Sequence, residues 1–168
     1  MKRILIFSSA VMLLMFGLIG CGSEAANSSS FTTKAAQGGM SEVLLGNLAL
    51  AKGQSADLKQ FAQQMIDDHT RANNDLKEIA AKKSVALPTD TNDEQKSLLE
   101  KLSKLSGADF DKAYVKAMID DHEEDVKEFK AQAASGTDPD IKAFAARTLP
   151  TLQSHLDTIK GIKDRMMK

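Results

Sequence analysis

The stretch FAQQMIDDHTRANNDL, residues 61–76, decides the fold. Apolar residues recur in it at intervals of three and four, which predicts an amphipathic α-helix. His69 belongs to the apolar face, because it follows Met65 by one helical turn. The pentapeptide MIDDH occurs again at residues 118–122, where His122 follows its own methionine in the same way. The repeat therefore predicts two amphipathic helices, each with a histidine on its buried face.

The rest of the chain predicts more helices and no strands. Alanine, leucine and lysine are common, there are only three prolines, and no run alternates apolar and polar residues as a strand would. Helix boundaries follow from residues typical of helix ends: Ser55 and Asp138 are expected N-caps, and Thr91 with Glu94 is an expected capping box. Long helices are predicted over residues 31–52, 55–82, 109–134 and 138–165, with a short one between 91 and 107.

The lengths of the connections predict how these helices pack. The turns within the first pair and within the last pair are short, so the helices of each pair should be antiparallel neighbours. A much longer segment, which carries the short helix, joins the second long helix to the third. One such crossover is typical of the ferritin-like antiparallel four-helix bundle, so the fold class predicted is all-α and ferritin-like.

Four polar residues are predicted to meet in the core of this bundle. All three histidines, His69, His122 and His155, lie on apolar faces, and Glu42 lies within a stripe of small residues on the first helix. Counted from the shared turn, the two residues of each pair differ in depth by five positions. That is about 7–8 Å at 1.5 Å per residue, before the turns are allowed for. One polar residue per helix should therefore reach roughly the same layer.

A buried glutamate with three histidines predicts either of two arrangements. Imidazole and carboxylate groups suit Fe, Zn, Mn or Cu, so the first is a site for one transition-metal ion. Asp125 could add a ligand, since it follows His122 by three residues. Residues placed to support the ligands are Asp68, Asp121, Tyr114, Met65 and Met118. The second arrangement is a metal-free, hydrogen-bonded polar layer that fixes the register of the helices.

The first residues predict export rather than part of the fold. Lys2 and Arg3 precede an apolar run, and residues 18–21, LIGC, resemble a bacterial lipobox. We therefore expect a lipoprotein signal peptide over residues 1–20, a lipid on Cys21, and a flexible tether over 21–30 before the domain at 31–168. The lipid should hold the protein on the outer membrane, facing the periplasm, or on the outer face of the cell membrane in a Gram-positive host.

Composition excludes several classes of function. A formal net charge of −1 gives no basic surface for nucleic acid, and the single cysteine allows no intramolecular disulfide. The sequence also lacks a glycine-rich phosphate loop, and no serine or cysteine nucleophile presents itself in the predicted domain. These features favour a binding protein over an enzyme. They predict no particular protein partner.

Four blocks of the chain resemble one protein family. KAAQGGMSEVLLGNLA, FAQQMIDDHTRANNDL, FDKAYVKAMIDDHEEDVKEF and DPDIKAFAARTLPTLQSHL occur in the order found in the bacterial "domain of unknown function 4142" family. The resemblance implies a ferritin-like four-helix domain in an exported, often outer-membrane, protein, and it implies no established reaction. Ferritin-like di-iron enzymes carry Glu-x-x-His on two helices. Here Ile66, Ile119 and Leu152 stand in place of those glutamates, which disfavours a di-iron oxidase.

Two functions follow as hypotheses. The first is an exported, lipid-anchored bundle that binds one transition metal for storage, sensing or stress protection. The second is a non-catalytic structural or interaction module of the cell envelope, in which the polar layer serves only to fix register.

Overall fold

The computed structural model describes the backbone of residues 21–167 and the side chains of residues 30–167. This range contains helices and no strands, so the predicted fold class is confirmed. None of the described helices combines the length and apolarity needed to span a bilayer. The five described helices are α1 (Cys21–Lys52), α2 (Ala56–Lys82), α3 (Asp93–Ser103), α4 (Gly107–Ser135) and α5 (Pro139–Met166).

Neighbouring long helices are antiparallel. Along α1 and α2, Gly39 approaches Asn73 whereas Gly46 approaches Ile66, so one helix advances as the other retreats. The α4–α5 pair behaves in the same way, since Glu123 pairs with Lys160 and Phe129 packs on Phe144. Ion pairs at opposite ends join α2 to α5, namely Asp57–Arg165 and Lys83–Asp138. The helices therefore surround the core in the order α1, α2, α5, α4.

This order explains the long crossover. Helices α2 and α4 lie diagonally across the bundle and run in the same direction, so the chain between them must travel the length of the bundle. A helix of 27 residues is about 40 Å long. The segment 83–106 covers that distance with α3, which packs against α1 and α4. The predicted ferritin-like bundle with one crossover is confirmed.

The helix caps agree with the sequence at two positions and differ at a third. Ser55 accepts a hydrogen bond from the Leu58 N–H, and Asp138 accepts one from Ile141. The predicted capping box at Thr91 and Glu94 is wrong by one residue. Asn92 and Gln95 form it instead, each side chain accepting from the other's N–H at 2.9 Å. Asparagine is the stronger N-cap, which accounts for the shift.

The first helix begins earlier than expected. It starts at Cys21, whereas the sequence predicted a start at Phe31 and a flexible tether over 21–30. Residues 21–30 contain no proline, so nothing in them stops a helix that α1 has already nucleated. The expected signal peptide, residues 1–20, and the side chain of Cys21 lie outside the described part of the chain.

Two polar contacts fasten the α1–α2 turn to the other half of the bundle. The buried Asp111 carboxylate, from α4, accepts hydrogen bonds from the backbone N–H groups of Gln54 and Ser55 at 3.1 and 3.3 Å. Lys52 donates to the carbonyl oxygens of Ser103 and Leu105 at 2.6 and 3.0 Å. These bonds fix the position of the turn along the bundle axis. They therefore also fix the level at which each residue of α2 lies.

The apolar core consists of two clusters. The larger lies around the α1–α2 turn, and its fully buried large side chains are Leu45, Leu58, Phe61, Met65, Leu102, Phe110, Tyr114, Met118, Ile159 and Ile162. The smaller lies around the α4–α5 turn and consists of Phe31, Ala36, Leu76, Phe129, Ile141, Phe144, Ala145 and Leu152. Along each long helix, the segment between the two clusters contains one buried glutamate or histidine.

The close approach of α1 and α2 depends on Gly46. A methyl group there would lie 2.8 Å from Ile66 Cγ1 and 3.0 Å from the Ala62 carbonyl oxygen. We expect Gly46→Ala to lower the free energy of unfolding by about 1–2 kcal/mol, because overpacking outweighs the better helix propensity of alanine.

Gly38 provides the matched control. A methyl group there would meet nothing within 4 Å. Gly38→Ala should therefore raise the free energy of unfolding by roughly 0.5–1 kcal/mol, since alanine loses less backbone entropy on folding. Urea denaturation of both variants measures the difference. Equal effects of the two substitutions would contradict the close α1–α2 contact.

Candidate metal centre

Four buried side chains form a polar layer between the two apolar clusters, one from each long helix. Glu42, His122 and His155 are 0% exposed and His69 is 5% exposed. The sequence placed these four residues at roughly one depth, and the structure brings them together. One ring nitrogen from each histidine lies within 4.8 Å of the other two.

His122 is oriented by its own helix. Its Nδ1 lies 2.9 Å from the Met118 carbonyl oxygen, one turn earlier in α4. A carbonyl oxygen only accepts hydrogen bonds, so Nδ1 carries the proton and donates it. The Nε2 atom of His122 is therefore the unprotonated nitrogen of a neutral ring, and it faces the centre of the layer.

His155 is oriented from the neighbouring helix. Its Nε2 lies 2.9 Å from Asp68 Oδ2 on α2, and the same carboxylate accepts a hydrogen bond from Arg71 at 3.1 Å. As donor to this carboxylate, Nε2 holds the proton and Nδ1 is left with its lone pair. Histidines that bind metals commonly donate a hydrogen bond from their other ring nitrogen to a carboxylate in this way.

The two unprotonated nitrogens face each other. His122 Nε2 and His155 Nδ1 are 3.4 Å apart, and with the protons placed on the opposite nitrogens neither has one to share. Two lone pairs at this distance in a dry core repel each other. A cation placed between them would convert the repulsion into attraction.

Glu42 and His69 complete the layer. Glu42 Oε2 lies 2.7 Å from His69 Nδ1, and Glu42 Oε1 lies 3.5 Å from His122 Nε2. Although these atoms are close, neither oxygen accepts a well-aligned hydrogen bond from His69 or His122, and His69 Nε2 has no hydrogen-bond partner among the described residues. Buried polar atoms are rarely left in this state.

Burial sets the charge of the layer. It lowers the pKa of His122 to about 3, helped by the neighbouring His69 and His155, and it lowers the pKa of His69 to about 4. The pKa of His155 is also lowered by burial, although Asp68 opposes the shift. At neutral pH the three rings are therefore uncharged, which is the form that binds metals.

Acidic side chains adjoin Glu42 on the α4 side. Carboxylate oxygens of Glu42 and Asp121 and a ring nitrogen of His122 lie within 4.8 Å of one another. Burial, followed by Asp121, raises the pKa of Glu42 well above its ordinary value, and burial raises the pKa of Asp121 to about 6. Burial and then Glu42 raise the pKa of Asp125 well above its ordinary value. Without a cation, protons neutralise part of this charge.

Residues 22–162 match the family model for the domain of unknown function DUF4142. The chain belongs to the DUF4142 family. The resemblance noted in the four sequence blocks is thereby confirmed over nearly the whole described range.

Two solved structures share the fold of this DUF4142 chain. A DUF305 fragment from Deinococcus radiodurans aligns with a TM-score of 0.73 and 14% identity, covering 83% of this chain and 96% of its own. A protein described as CopM in the Cu(I)-bound form aligns with a TM-score of 0.69 and 17% identity, covering 82% and 96%. No curated protein matches the chain in sequence. At these identities the likeness extends to the helical-bundle fold alone.

The other residues that the sequence predicted for the site do not all lie at the polar layer. Asp125 is half-buried and does not belong to either group of converging ligand atoms among the described residues. Asp68 lies behind His155, to which it hydrogen-bonds, and it also forms a salt bridge with Arg71 of its own helix. Tyr114 is buried against Phe110, its hydroxyl has no hydrogen-bond partner among the described residues, and burial raises its pKa.

The two methionines of the repeat pack in the larger apolar cluster. Both Met65 and Met118 are 0% exposed, and the contact that Met118 makes with the layer uses its backbone carbonyl group. Sequence reasoning overlooked Phe61, whose ring lies 6.5 Å from that of His122 and 6.1 Å from that of His155. The signal was present, since Phe61 precedes His69 by eight residues on the same helical face. Its ring places apolar surface next to both imidazole rings.

The raised pKa of Glu42 predicts how stability depends on pH. In the unfolded chain this group ionises near its ordinary pKa of 4.5, whereas in the folded protein it keeps its proton to a higher pH. The folded state then binds more protons, so stability falls with rising pH between the two pKa values, by up to about 1.4 kcal/mol per pH unit. Glutamine does not titrate, so Glu42→Gln should stabilise the metal-free protein more at about pH 8 than at about pH 5.

Urea denaturation of the metal-free parent and variant at both pH values measures this difference. The histidines are present in both proteins, so their own opposite dependence on pH cancels to first order. A stability gain that is the same at the two pH values would contradict a raised pKa for Glu42.

Proposed function

We propose that this protein binds one transition-metal ion in the core of its bundle, with His69, His122 and His155 as nitrogen ligands and Glu42 as the carboxylate ligand. The observation that carries the proposal is the pair of unprotonated nitrogens, His122 Nε2 and His155 Nδ1, held 3.4 Å apart by hydrogen bonds on their opposite sides.

That distance suits two ligands of one ion. Metal–nitrogen bonds of about 2.0–2.1 Å at a tetrahedral angle place two nitrogens about 3.3–3.4 Å apart. Glu42 Oε1, 3.5 Å from His122 Nε2, also fits such a geometry. His69 Nδ1 lies 2.7 Å from Glu42 Oε2, which is too short for two ligands of one ion, so these two atoms do not both bind it in this geometry. His69 Nε2 has no hydrogen-bond partner among the described residues and is the other nitrogen that the ring can offer.

The donor atoms narrow the choice of metal. Three imidazoles and a carboxylate suit Zn, Cu, Fe or Mn, and the lack of Glu-x-x-His motifs argues against a pair of iron ions. The Cu(I)-bound CopM structure has the same fold, so copper belongs among the ions to test.

The biological role within this proposal is storage, sensing or protection against metal stress at the cell envelope. Residues 18–21, LIGC, support export with a lipid on Cys21 and attachment to the outer membrane, or to the outer face of the cell membrane in a Gram-positive host. A metal-binding bundle attached there would meet ions before they reach the cytoplasm.

Metal content tests the proposal directly. The purified chain, dialysed separately against Zn²⁺, Cu²⁺, Fe²⁺ and Mn²⁺, should retain about one equivalent of at least one ion, and His122→Ala and His155→Ala should lose it. Gln132→Leu is the matched control, because Gln132 is a buried polar residue of the same helix as His122 but outside the layer. It should retain the ion.

A parent chain that stays metal-free with all four ions would overturn the metal proposal. The layer would then act only to fix the register of the helices, as the structural or interaction module considered from the sequence requires. The hydrogen bonds from His122 to Met118 and from His155 to Asp68 are compatible with that role.

Thermal unfolding gives a second, independent prediction. An ion that binds only the folded state stabilises it by RT ln(1 + [L]/Kd), about 2.7 kcal/mol at one hundred times Kd. The melting temperature of the loaded chain should therefore fall when a chelator is added, and that of His155→Ala should not change. A chelator that lowers both melting temperatures equally would point to an effect outside the histidine layer.

A further inference from the structure

An acid-lined pocket leads from the surface towards the polar layer. It has a volume of about 370 Å³ and lies where α1, the start of α3 and α4 meet. The one basic residue in its lining is Lys34, which is already paired with Glu128. The acids of the lining are Glu94, Asp121, Glu124, Asp125 and Glu128.

The acids of this pocket become more buried towards the core. Glu94 and Glu124 are exposed, Asp121 and Asp125 are half-buried, and Glu42 is fully buried. Asp121 is the connecting residue, because it lines the pocket and also converges with Glu42 and His122 within 4.8 Å. Carboxylates therefore follow one another from solvent to the histidines.

Glu42 is the innermost of these carboxylates. Its two oxygens are completely buried and accept no well-aligned hydrogen bond from His69 or His122, although they lie close to both. A buried carboxylate is costly unless a cation or a proton neutralises it. Glu42 therefore gives the chain of acids an inner end at which a cation can take the place of a proton.

We propose that the pocket between α1, α3 and α4 is the entrance through which a hydrated divalent cation reaches the core, with Asp121 and Asp125 passing the ion from the outer acids to Glu42. The proposal rests on the metal site proposed above. Clefts lined with one sign of charge concentrate the opposite ion and raise association rates by 10–10³-fold. Each carboxylate can replace a water molecule of the hydrated ion, so that dehydration occurs in steps.

The opposite side of the site is less suited to admit a cation. There His155 is covered by Asp68, and Asp68 is paired with Arg71. The guanidinium group repels an approaching metal ion, and the ion pair occupies the carboxylate that would receive it. The two sides of the layer therefore differ in charge. The pocket has five acids and one base, Lys34, which is paired, whereas the opposite side has a neutralised ion pair.

The rate of Zn²⁺ uptake tests the entrance. Metal-free full-length chain is mixed with Zn²⁺ in a stopped-flow instrument, and a fluorescent zinc indicator reports the free ion. Replacing the two exposed acids together, Glu94→Gln with Glu124→Gln, should slow uptake roughly tenfold at low salt and much less at high salt, where exposed charges are screened. The final zinc content should stay at the parent value.

Matched variants show whether the charge and the open space of the pocket itself control the rate of uptake. Glu123→Gln changes the same charge on the same helix, but Glu123 faces Lys160 outside the pocket, so uptake should proceed at the parent rate. Gly38 lines the pocket with open space around it. Gly38→Leu should slow uptake at low and high salt alike, whereas Gly38→Ala should not.

The outcomes distinguish this proposal from the metal site itself. Uptake at the parent rate in both the double acid variant and Gly38→Leu, with full zinc content, overturns the entrance and leaves the metal site standing. Faster uptake in Arg71→Gln together with unchanged rates in those variants places the entrance on the α2–α5 side instead. A parent that takes up no zinc overturns the entrance for this ion, and the four-ion content experiment then decides the site.

Discussion

The structure depends on how four ionisable side chains can share one dry layer. A buried imidazole has two nitrogens to satisfy, and in His122 and His155 the outward nitrogen donates a hydrogen bond, to a backbone carbonyl and to Asp68 respectively. That leaves the inward nitrogens without protons and only 3.4 Å apart. Glu42 adds two buried oxygens to the same space. The outward nitrogens of His122 and His155 have hydrogen-bond partners, whereas their inward nitrogens have no proton to share. Metal-binding histidines are commonly held by hydrogen bonds on their outer side in this way.

The surrounding bundle holds this layer in register. The depth of Glu42 relative to His69 depends on the α1–α2 turn, and Asp111 fixes that turn from α4 by accepting hydrogen bonds from two backbone N–H groups. Gly46 lets α1 and α2 approach closely, which brings the Glu42 carboxylate within 2.7 Å of His69. Distances at the site thus depend on helix packing outside the polar layer as well as on the four side chains. A carboxylate on one helix that receives two N–H groups of a distant turn acts as a brace across the bundle.

Much of this arrangement was predictable from the sequence because it follows from periodicity. A residue three or four positions from apolar neighbours shares their face, and counting from a shared turn gives its depth, so the meeting of Glu42 with the histidines could be anticipated. The sequence could not predict which nitrogen of each histidine carries the proton, because that depends on which acceptor lies next to the ring in the folded protein. The position of Asp125 outside both ligand groups could not be predicted either, because residue spacing gives the face of a helix and not the direction of the side chain. The capping box moved by one residue because two adjacent residues compete for the same role, and the helical form of 21–30 shows that flexible composition does not by itself end a helix.

The division of the apolar core into two clusters has a consequence for how such a chain changes during evolution. The polar layer lies between the clusters, so a volume change in the one around Phe144 need not be matched by a compensating change in the one around Phe110. The side chains of each cluster can then change independently of those in the other cluster, while the polar layer between them is kept. Sequence change at one end of such a bundle therefore need not disturb the packing at the other end.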